Sequence, residues 1–444
     1  MTLPKSSDEA PSVLPGELVH HLQTVLLDLQ AYPYPEIPNP QGVPKRASVA
    51  VIIRIRPDYS HWPAASSLSA QSRHDSSIDD PAERIKSFFN QPWVQHGDPE
   101  VLFIKRAARK GDKWTSHVAF PGGRRDPEDA DDAAAAVREA SEEVGVDLST
   151  EFAVPAGNLP QQVVSAEWGK VPLMVLCPYV FLMTAHSIPP LRLQPTEVAS
   201  AHWVPLRALL SPKQRTFWLQ DVSSRTSQQD FGLTRTLHRL SIGDMMFAAV
   251  RLIPSESVYC SSIPEFLPPE PLHSEPLSLN YTAPLWGRGR LPPAPADSPL
   301  LLWGLTLGIM GDFLDMMPPY NALRAWTYPT FTTLDVRIIL HLMTHWYRKE
   351  RERELDEHKI SFRSVEELAH KAGRPAARLR SDQRRSDSNN VGLLLAGYYK
   401  LVRRAVLVTF VVRAVSASLI FVLLWKKRKN SLVQRLLSRL LWRR

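Results

Sequence analysis

The chain has 444 residues, 44% hydrophobic and 22% charged, a composition typical of a globular protein with a substantial core. Its two cysteines, Cys177 and Cys260, exclude a disulfide-rich scaffold and a cysteine-rich zinc module. The net charge of +8 is unevenly distributed: residues 400–444 hold 12 Lys/Arg and no Asp or Glu, whereas the other 399 residues carry 41 Lys/Arg against 45 Asp/Glu. Because the main body is slightly acidic, we expect no nucleic-acid partner.

The first part of the chain predicts one helix and three strands around an insertion. Leu18–Leu29 has the length and apolar content of a short helix. β-Branched residues predict strands over Ala47–Arg56 and Val101–Lys105, and a central strand over Val171–Met183. Residues 57–99 are rich in Ser, Pro, Asp and His, which predicts an exposed, irregular insertion.

The later part predicts shorter elements separated by proline-rich and charged segments. Ser200–Leu210 predicts a strand followed by a short helix, and a second irregular insertion is expected over 211–298. The apolar run Leu300–Met317 favours a buried helix. Arg348–Asp387 is dense in charge and predicts a solvated helix followed by a linker.

A strand, a glycine turn and a helix follow one another in the middle of the chain. The strand ends in the turn Phe120–Gly123, where the backbone can approach a ligand closely. An acidic loop comes next, and its Asp129 or Asp131 can cap the helix predicted over Ala133–Val144. Gly145 is then in position to close the helix.

This helix places three carboxylates on one face. Glu139, Glu142 and Glu143 are spaced i, i+3 and i+4, so they lie side by side and repel one another. Arg138 can reach Glu142 and orient it. A solvated helix face would also explain the pattern, but the adjoining Gly-Gly turn and acidic loop favour a cation site. Clustered hard oxygen ligands select Mg²⁺ or Mn²⁺.

The same residues resemble the Nudix box, whose pattern is G-x5-E-x7-R-E-U-x-E-E-x-G-U with U an aliphatic residue. Arg138–Val146 matches its C-terminal half. Two departures stand in the N-terminal half. Arg138 follows Gly123 by fifteen positions, one more than in the pattern, and the upstream glutamate of the family falls at Ala130, between Asp129 and Asp131.

Flanking segments are similar to the coenzyme A diphosphatase branch of that family. Phe120–Asp129 resembles its F-P-G-G-K-x-D-P-x-D motif. Glu197-Val198 followed by Trp203–Leu206 resembles its E-V…W-V-P-L segment, and Leu302–Thr306 resembles its closing I-W-G-L-T. These matches occur in order between about Ala47 and Met317.

The substrate-side signature of the branch, R-x3-G-x3-F-P-G-G, is incomplete here. Its arginine and glycine positions are occupied by Asp112 and Ser116, and Arg106 and Arg109 are out of register. Two alternatives therefore stay open beside coenzyme A: another nucleoside diphosphate or triphosphate substrate, or a catalytically silent Nudix module that only binds. The complete set of Arg138 and three glutamates argues against the silent module.

The resemblance implies an α+β fold, an α/β/α sandwich with a mixed sheet and a catalytic loop-helix. It also implies metal-dependent attack of water on the diphosphate of coenzyme A or acyl-CoA, a small-molecule nucleotide substrate. The products would be 4′-phosphopantetheine and adenosine 3′,5′-bisphosphate, and the cofactor Mg²⁺ or Mn²⁺.

The resemblance also assigns roles to residues of this chain. Four residues are expected to hold the metal through oxygen atoms: Glu139, Glu143, Glu142 and Gly123. Arg138 is expected to orient the glutamates as part of the catalytic set. Four further residues are expected on the substrate side: Arg106, Arg124, Arg125 and Glu197. Glu197 is also a candidate metal ligand or base, or else a surface acid, and each arginine contacts phosphate or is a solvated surface charge.

The C-terminal segment predicts a membrane anchor. Ala405–Trp425 contains one charge, Arg413, and basic residues flank it at Arg403-Arg404 and Lys426–Lys429. A central arginine costs about 2.5–3.5 kcal/mol, which nearly balances the apolar gain. Removing its charge is therefore expected to tighten insertion. Ser431–Arg444 predicts a basic amphipathic helix that lies on anionic lipid.

Four regions are expected along the chain: an extension over 1–46, the Nudix domain over 47–325, a charged helical linker over 326–390 and the tail over 391–444. A packed helical hairpin is the alternative to a lipid-bound tail. An anchor so near the C-terminus would leave the catalytic domain facing the cytosol, and the basic tail favours a mitochondrial or peroxisomal membrane over the endoplasmic reticulum.

Overall fold

The structure, a computed structural model, describes residues 15–63, 79–108, 115–166, 171–185, 189–220, 242–263, 300–318, 322, 327–372, 394–395 and 397–441. The chain divides into two units. Unit 1 comprises Met1–Trp218, Phe247–Tyr328 and Glu357–Leu393. Unit 2 comprises Leu219–Met246, Pro329–Asp356 and Leu394–Arg444.

Helices and strands are numbered separately in chain order. The helices are α1 (Pro15–Ala31), α2 (Pro81–Phe89), α3 (Pro92–Gln95), α4 (Asp132–Val144), α5 (Leu206–Leu210), α6 (Gly304–Leu314), α7 (Leu334–Ala372) and α8 (Tyr398–Leu441). The strands are β1 (Arg46–Arg56), β2 (Asp98–Arg106), β3 (Val118–Ala119), β4 (Gly122–Arg124), β5 (Ala153–Asn158), β6 (Gln162–Ala166), β7 (Val171–Met183), β8 (Val198–Pro205), β9 (Arg215–Gln220), β10 (Met245–Arg251), β11 (Glu256–Tyr259), β12 (Leu301–Trp303) and β13 (Thr330–Phe331).

A mixed sheet forms the centre of unit 1, in the order β11-β8-β2-β1-β7-β5. The short strands β3, β4 and β6 pair with β2, β1 and β7. Strands β1 and β7 are parallel, with Ser48 opposite Cys177, and the neighbouring pairs are antiparallel. The predicted central strand Val171–Met183 is confirmed, and so is the α+β class.

Helices cover both faces of this sheet because β1 alternates its side chains between them. Val51 and Ile53 belong to the core cluster on the α1 side, where Leu22 of α1 is fully buried. Ile52 belongs to the other cluster, together with Ala140 of α4. These two layers produce the expected sandwich and fix α4 against the sheet.

The first insertion is more ordered than the sequence indicates. Within 57–99 the structure contains α2, which begins at Pro81. The side chain of Asp80 caps this helix by accepting a hydrogen bond from the backbone N–H of Ala82. Ile85 and Phe88 of α2 are fully buried. The expectation of an exposed, irregular segment is therefore wrong for this part, because frequent polar residues mask the i, i+3 spacing of the apolar ones.

Other boundaries also differ from expectation. Leu300–Met317 opens as strand β12 before α6, and the described part of 211–298 contains β9, β10 and β11. Helix α7 begins at Leu334, ahead of the charged stretch that predicted it, and α8 joins the apolar and basic segments of the tail into one helix. The proline-rich residues 264–299 lie outside the described residues, and so do residues 373–393, where the linker is expected to follow the charged helix.

Unit 2 contains β13, most of α7 and α8. Strand β13 pairs antiparallel with the first residues of β10, Phe331 opposite Met245. Among the described residues, one helical stretch, Tyr398–Lys429, is long and apolar enough to cross a membrane, and almost none of its apolar window is buried. This stretch includes the segment predicted as an anchor.

A buried histidine joins β8 to the strand supplied by the second insertion. The two ring nitrogens of His202 lie 2.8 Å from the hydroxyls of Ser200 and Ser257, and the side chain is fully buried. Burial lowers the pKa of His202 to about 4, and the charge of Lys105 acts in the same direction. The folded protein therefore keeps this imidazole neutral.

We expect this neutral histidine to make stability depend on pH. The unfolded chain binds a proton at His202 below about pH 6.5, whereas the folded chain does so only near 4, so the free energy of unfolding falls as the pH drops between them. The limiting loss is about 3 kcal/mol. Denaturant unfolding at pH 7 and pH 5 measures it. His202→Gln should flatten the dependence, and an unchanged slope in that variant would contradict this account.

Candidate metal centre

The helix that carries the glutamates is fixed at both ends. The Asp131 side chain accepts a hydrogen bond of 2.7 Å from the backbone N–H of Ala134, which caps α4. Gly145 closes the helix in the left-handed conformation, with φ 71°. Ala136 and Ala140 are fully buried against the sheet. Their small side chains let α4 approach the sheet closely, so its glutamates are held at fixed positions.

Three carboxylates from two elements converge. Glu139 and Glu143 of α4 and Glu197, which immediately precedes β8, each offer an oxygen atom, and these atoms lie within 4.8 Å of one another. Glu139 and Glu143 are buried, and Glu197 is partly buried. The Glu142 side chain is 60% exposed, so the structure does not bring it into this group.

Burial makes the group electrostatically costly without a cation. It raises the pKa of Glu139, and it raises the pKa of Glu143 to about 8 despite the hydrogen bond that Glu143 accepts from Gly122. The charge of Arg106 also stabilises the Glu143 carboxylate. Adjacent buried carboxylates are the donor set of a hard divalent ion, so the residues fit a cofactor such as Mg²⁺ or Mn²⁺.

The glycine turn passes directly over these carboxylates. The backbone N–H of Gly122 donates to Glu143 Oε2 at 2.8 Å. A Cβ atom at Gly122 would overlap the Ser48 carbonyl oxygen of β1, and one at Gly123 would overlap the Glu139 carboxylate. Two glycines are therefore required for this approach, which leaves the Gly123 backbone beside the carboxylates.

Arg138 joins the helix to the acidic loop. Its Nε and Nη2 atoms each lie 3.0 Å from the Asp129 carboxylate, and Nη1 lies 3.1 Å from both Glu139 and Glu142. The hydrogen bond to Asp129 is the main reason that the pKa of Arg138 is raised. The contact with Glu142 is as expected, whereas Asp129 is the stronger partner and the sequence did not identify it.

These contacts explain the departure from the box pattern at Ala130. One neighbouring residue, Asp129, holds Arg138, and the other, Asp131, caps α4. A third acid, Asp132, pairs with Arg46 of β1 at 2.7 Å. The acidic side chains of this segment thus form structural contacts with Arg138, with the start of α4 and with Arg46.

The three arginines predicted on the substrate side have different surroundings. Arg106 ends β2 close enough to act on Glu143. Arg124 is exposed, and its carbonyl accepts a hydrogen bond from Arg138 at 3.0 Å. Arg125 pairs with Asp132 at 3.3 Å and donates to the carbonyl of Ala130. Among these contacts, the interaction of Arg106 with Glu143 is the one that involves the converging carboxylates.

Comparison with known proteins finds a family match over the region that contains this site. The model of the NUDIX domain matches residues 93–225. An uncharacterised protein of Schizosaccharomyces pombe is 32% identical over 317 residues, covering 70% of this chain and 78% of that protein. The uncharacterised Nudix hydrolase NudL of Photorhabdus laumondii is 34% identical over 140 residues, 31% of this chain and 66% of that protein.

Two further similarities are more limited. The peroxisomal coenzyme A diphosphatase NUDT7 of Mus musculus is 44% identical over 55 residues, 12% of this chain and 23% of that protein. The NUDIX domain of Shewanella oneidensis NrtR, solved with ADP ribose, is 16% identical, with a TM-score of 0.22 over 37% of this chain and 75% of that one. The chain contains a NUDIX domain and is a hydrolase of the Nudix type.

The first variant for this site is Glu143→Gln. We expect kcat to fall by at least ~10², because the charge opposite a cation is lost while an acceptor for the Gly122 N–H remains. Glu142→Gln is the matched control on the same helix and should lose less than ~10-fold, since Glu142 lies outside the group. Steady-state kinetics with folded proteins measure both. Equal losses would contradict the assignment.

A second variant tests the approach of the turn. Gly123→Ala should displace the Glu139 carboxylate and raise the Mg²⁺ concentration required for half-maximal activity by about 10-fold or more. Metal titration of activity, with circular dichroism to verify folding, measures this. An unchanged metal requirement would show that the contact has no functional weight.

Proposed function

We propose that this protein is a metal-dependent coenzyme A diphosphatase, hydrolysing the diphosphate of coenzyme A or acyl-CoA to 4′-phosphopantetheine and adenosine 3′,5′-bisphosphate. Mg²⁺ or Mn²⁺ is the proposed cofactor. When bound, it would neutralise the diphosphate and lower the pKa of a coordinated water molecule. Glu139, Glu143, Glu197 and the Gly123 carbonyl are the proposed ligands.

The remaining residues position this group and the substrate. Arg138 fixes Glu139 from one side, because Asp129 holds its guanidinium. The Gly122 N–H fixes Glu143 from the other side. Arg106 supplies positive charge beside the site, where a phosphate oxygen would gain most from it. Glu197, which comes from a different element, is the proposed further ligand or general base.

One observation favours the coenzyme A branch in particular. Ser116 occupies the position of the glycine in R-x3-G-x3-F-P-G-G, and it has φ 59°. This is the only non-glycine residue with positive φ in the described part of the chain. Such a conformation is uncommon for residues with a Cβ and is the one that glycine adopts freely. A glycine would adopt this conformation freely, which supports the resemblance of this segment to the branch signature.

The closing L-W-G-L-T segment lies beside β3, the short strand that follows Ser116 and His117. The Trp303 and His117 rings are 4.8 Å apart, and the Thr306 hydroxyl donates to the Val118 carbonyl at 3.4 Å. Two segments that resemble the branch are therefore in contact, next to the turn that reaches the carboxylates. The partial similarity to the mouse peroxisomal coenzyme A diphosphatase supports the same substrate.

A different Nudix substrate is the second candidate. The position of the branch arginine is occupied by Asp112, whose charge is opposite. If another residue does not replace that contact, ADP-ribose or a nucleoside triphosphate would be preferred.

A substrate panel separates these candidates. We expect coenzyme A to be cleaved at its diphosphate with a higher kcat/KM than ADP-ribose or a nucleoside triphosphate, because the turn, the closing segment and the Ser116 backbone follow the coenzyme A branch. Mass analysis of products identifies the cleaved bond. A preference of about 10-fold or more for either alternative would replace coenzyme A as the substrate.

We also propose that α8 anchors the protein in a membrane, with 405–425 as the embedded segment and the catalytic domain on the cytosolic side. The exposed apolar stretch of α8 and its basic flanks support this. Burial in lipid removes this apolar surface from water, whereas the acidic body has no attraction to an anionic surface. The basic tail favours a mitochondrial or peroxisomal membrane.

Membrane fractionation tests the anchor. An embedded segment is held by apolar burial, so the protein should remain in the membrane fraction through high salt and alkaline carbonate. Deleting 391–444 should release it from the carbonate-resistant fraction with hydrolase activity retained. Extraction by salt alone would indicate a surface-bound tail, and full solubility would favour the packed hairpin.

A further inference from the structure

Helix α7 exposes an apolar stripe. Its members recur every four residues: Leu334 (66% exposed), Ile338 (58%), Leu342 (68%) and Trp346 (76%). The opposite face of the helix is buried through Val336 and Leu340. Residues spaced by four form one ridge along a helix, so the stripe is a continuous surface about 18 Å long at 1.5 Å per residue. Hydration of such a ridge is unfavourable unless another apolar phase covers it.

Helix α8 runs antiparallel to the same part of α7. Contacts join them at two levels: Arg413 to Asp335 near the start of α7, and Arg348 to the Tyr398 hydroxyl at 3.2 Å further along. Beside these contacts α8 also turns apolar side chains outward, among them Leu407 (65% exposed). Both helices therefore expose apolar side chains over the part of their length where they contact each other.

Both helices have a charged part and an apolar part. The charged stretch of α7 begins at Arg348, directly after Trp346 and Tyr347, and the basic start of α8 lies at Tyr398–Arg404. The Arg348–Tyr398 contact places the start of the charged stretch of α7 beside the basic start of α8. Aromatic residues between a charged and an apolar zone are typical of a membrane–water interface.

The arginine inside the apolar segment has a counter-ion. Arg413 Nε lies 2.6 Å from Asp335 Oδ2, and Arg413 Nη2 lies 2.9 Å from Asp335 Oδ1. The two residues, which are 78 positions apart, therefore form a bidentate ion pair. Arg337, two residues further along α7, donates to the carbonyls of Phe331 and Thr332. The charge of Arg413 is therefore paired, which the sequence alone does not show.

We propose that the α7 stripe contacts the acyl chains of the same bilayer that receives α8, and that Asp335 is the counter-ion that lets Arg413 remain in apolar surroundings. This inference rests on the proposed anchoring by α8 and adds α7 to the lipid-facing surface. Lipid is the occupant because the stripe adds to the exposed apolar surface of α8, and the 12 basic residues over 400–444 complement anionic headgroups. His341 and His345 lie on the exposed side of α7, which suits contact near the headgroups.

Environment-sensitive labels test the stripe. In the full chain with Cys177→Ala and Cys260→Ala, a fluorophore is placed on Leu342→Cys, on Ile420→Cys as the anchor reference and on Glu350→Cys as the aqueous reference. The protein is reconstituted into phosphatidylcholine–phosphatidylserine vesicles that contain lipids with a nitroxide on the acyl chain. We expect quenching at 342 comparable to that at 420, and little at 350.

The outcomes separate the two proposals. Quenching at 420 without quenching at 342 would overturn the α7 inference and leave the anchor intact. Absence of quenching at both positions would overturn both. The emission of the fluorophore at 342 could instead shift to the blue only at higher protein concentration and remain unquenched by nitroxide lipid. That result would identify a second copy of the chain as the occupant of the stripe.

The counter-ion is tested by carbonate resistance. Arg413→Leu or Asp335→Leu alone leaves one charge without its partner, so each should lower the carbonate-resistant fraction. The double variant should restore the wild-type fraction, because both charges are removed. Glu350→Leu is the control for a single charge change on α7. Tighter retention of Arg413→Leu alone would overturn the pairing as the relevant interaction.

Discussion

The close approach of the Gly122-Gly123 turn to buried carboxylates is the constraint on which the site depends. Three carboxylate oxygens within 4.8 Å repel one another, and burial strengthens that repulsion. The fold tolerates them because small alanines hold α4 against the sheet, while Arg138 and the Gly122 N–H occupy the flanks. A bound divalent cation would relieve this repulsion, and the same cation could also coordinate the phosphates of a phosphorus anhydride. The unfavourable arrangement of the carboxylates therefore favours metal binding where the substrate needs it.

Local patterns predicted most of this arrangement, and their success has a physical reason. Strand Val171–Met183 and the helix ending at Gly145 follow from short-range periodicity and capping, which the sequence displays directly. The inclusion of Glu197 required the resemblance, because it lies 54 positions beyond Glu143. Spacing alone could not show that Glu142 turns outward, because i+3 and i+4 both lie near one face.

Long-range pairing was the part that the sequence concealed. Asp129 and Asp131 flank Ala130, and one holds Arg138 while the other caps α4. The composition of the first insertion predicts an irregular segment, because its buried residues, such as Ile85 and Phe88, are separated by polar ones. Composition also shows Arg413 only as a central charge, because its partner, Asp335, belongs to a helix 78 residues away. In each case tertiary contact decides a property that composition misjudges.

Strand β1, with the guanidinium of Arg46, sets a lower limit on the length of a fragment of this enzyme that can fold. Besides Asp132, this guanidinium donates to the Ile37 carbonyl and the Gln161 side chain, so it joins the segment before β1, the β5–β6 connection and the start of α4. The family pattern begins at residue 93, after β1 has ended. A gene fragment cut at that boundary would encode the glutamates and the glycine turn. It would lack the strand that lies between β2 and β7, and its product would have no continuous sheet on which to assemble them.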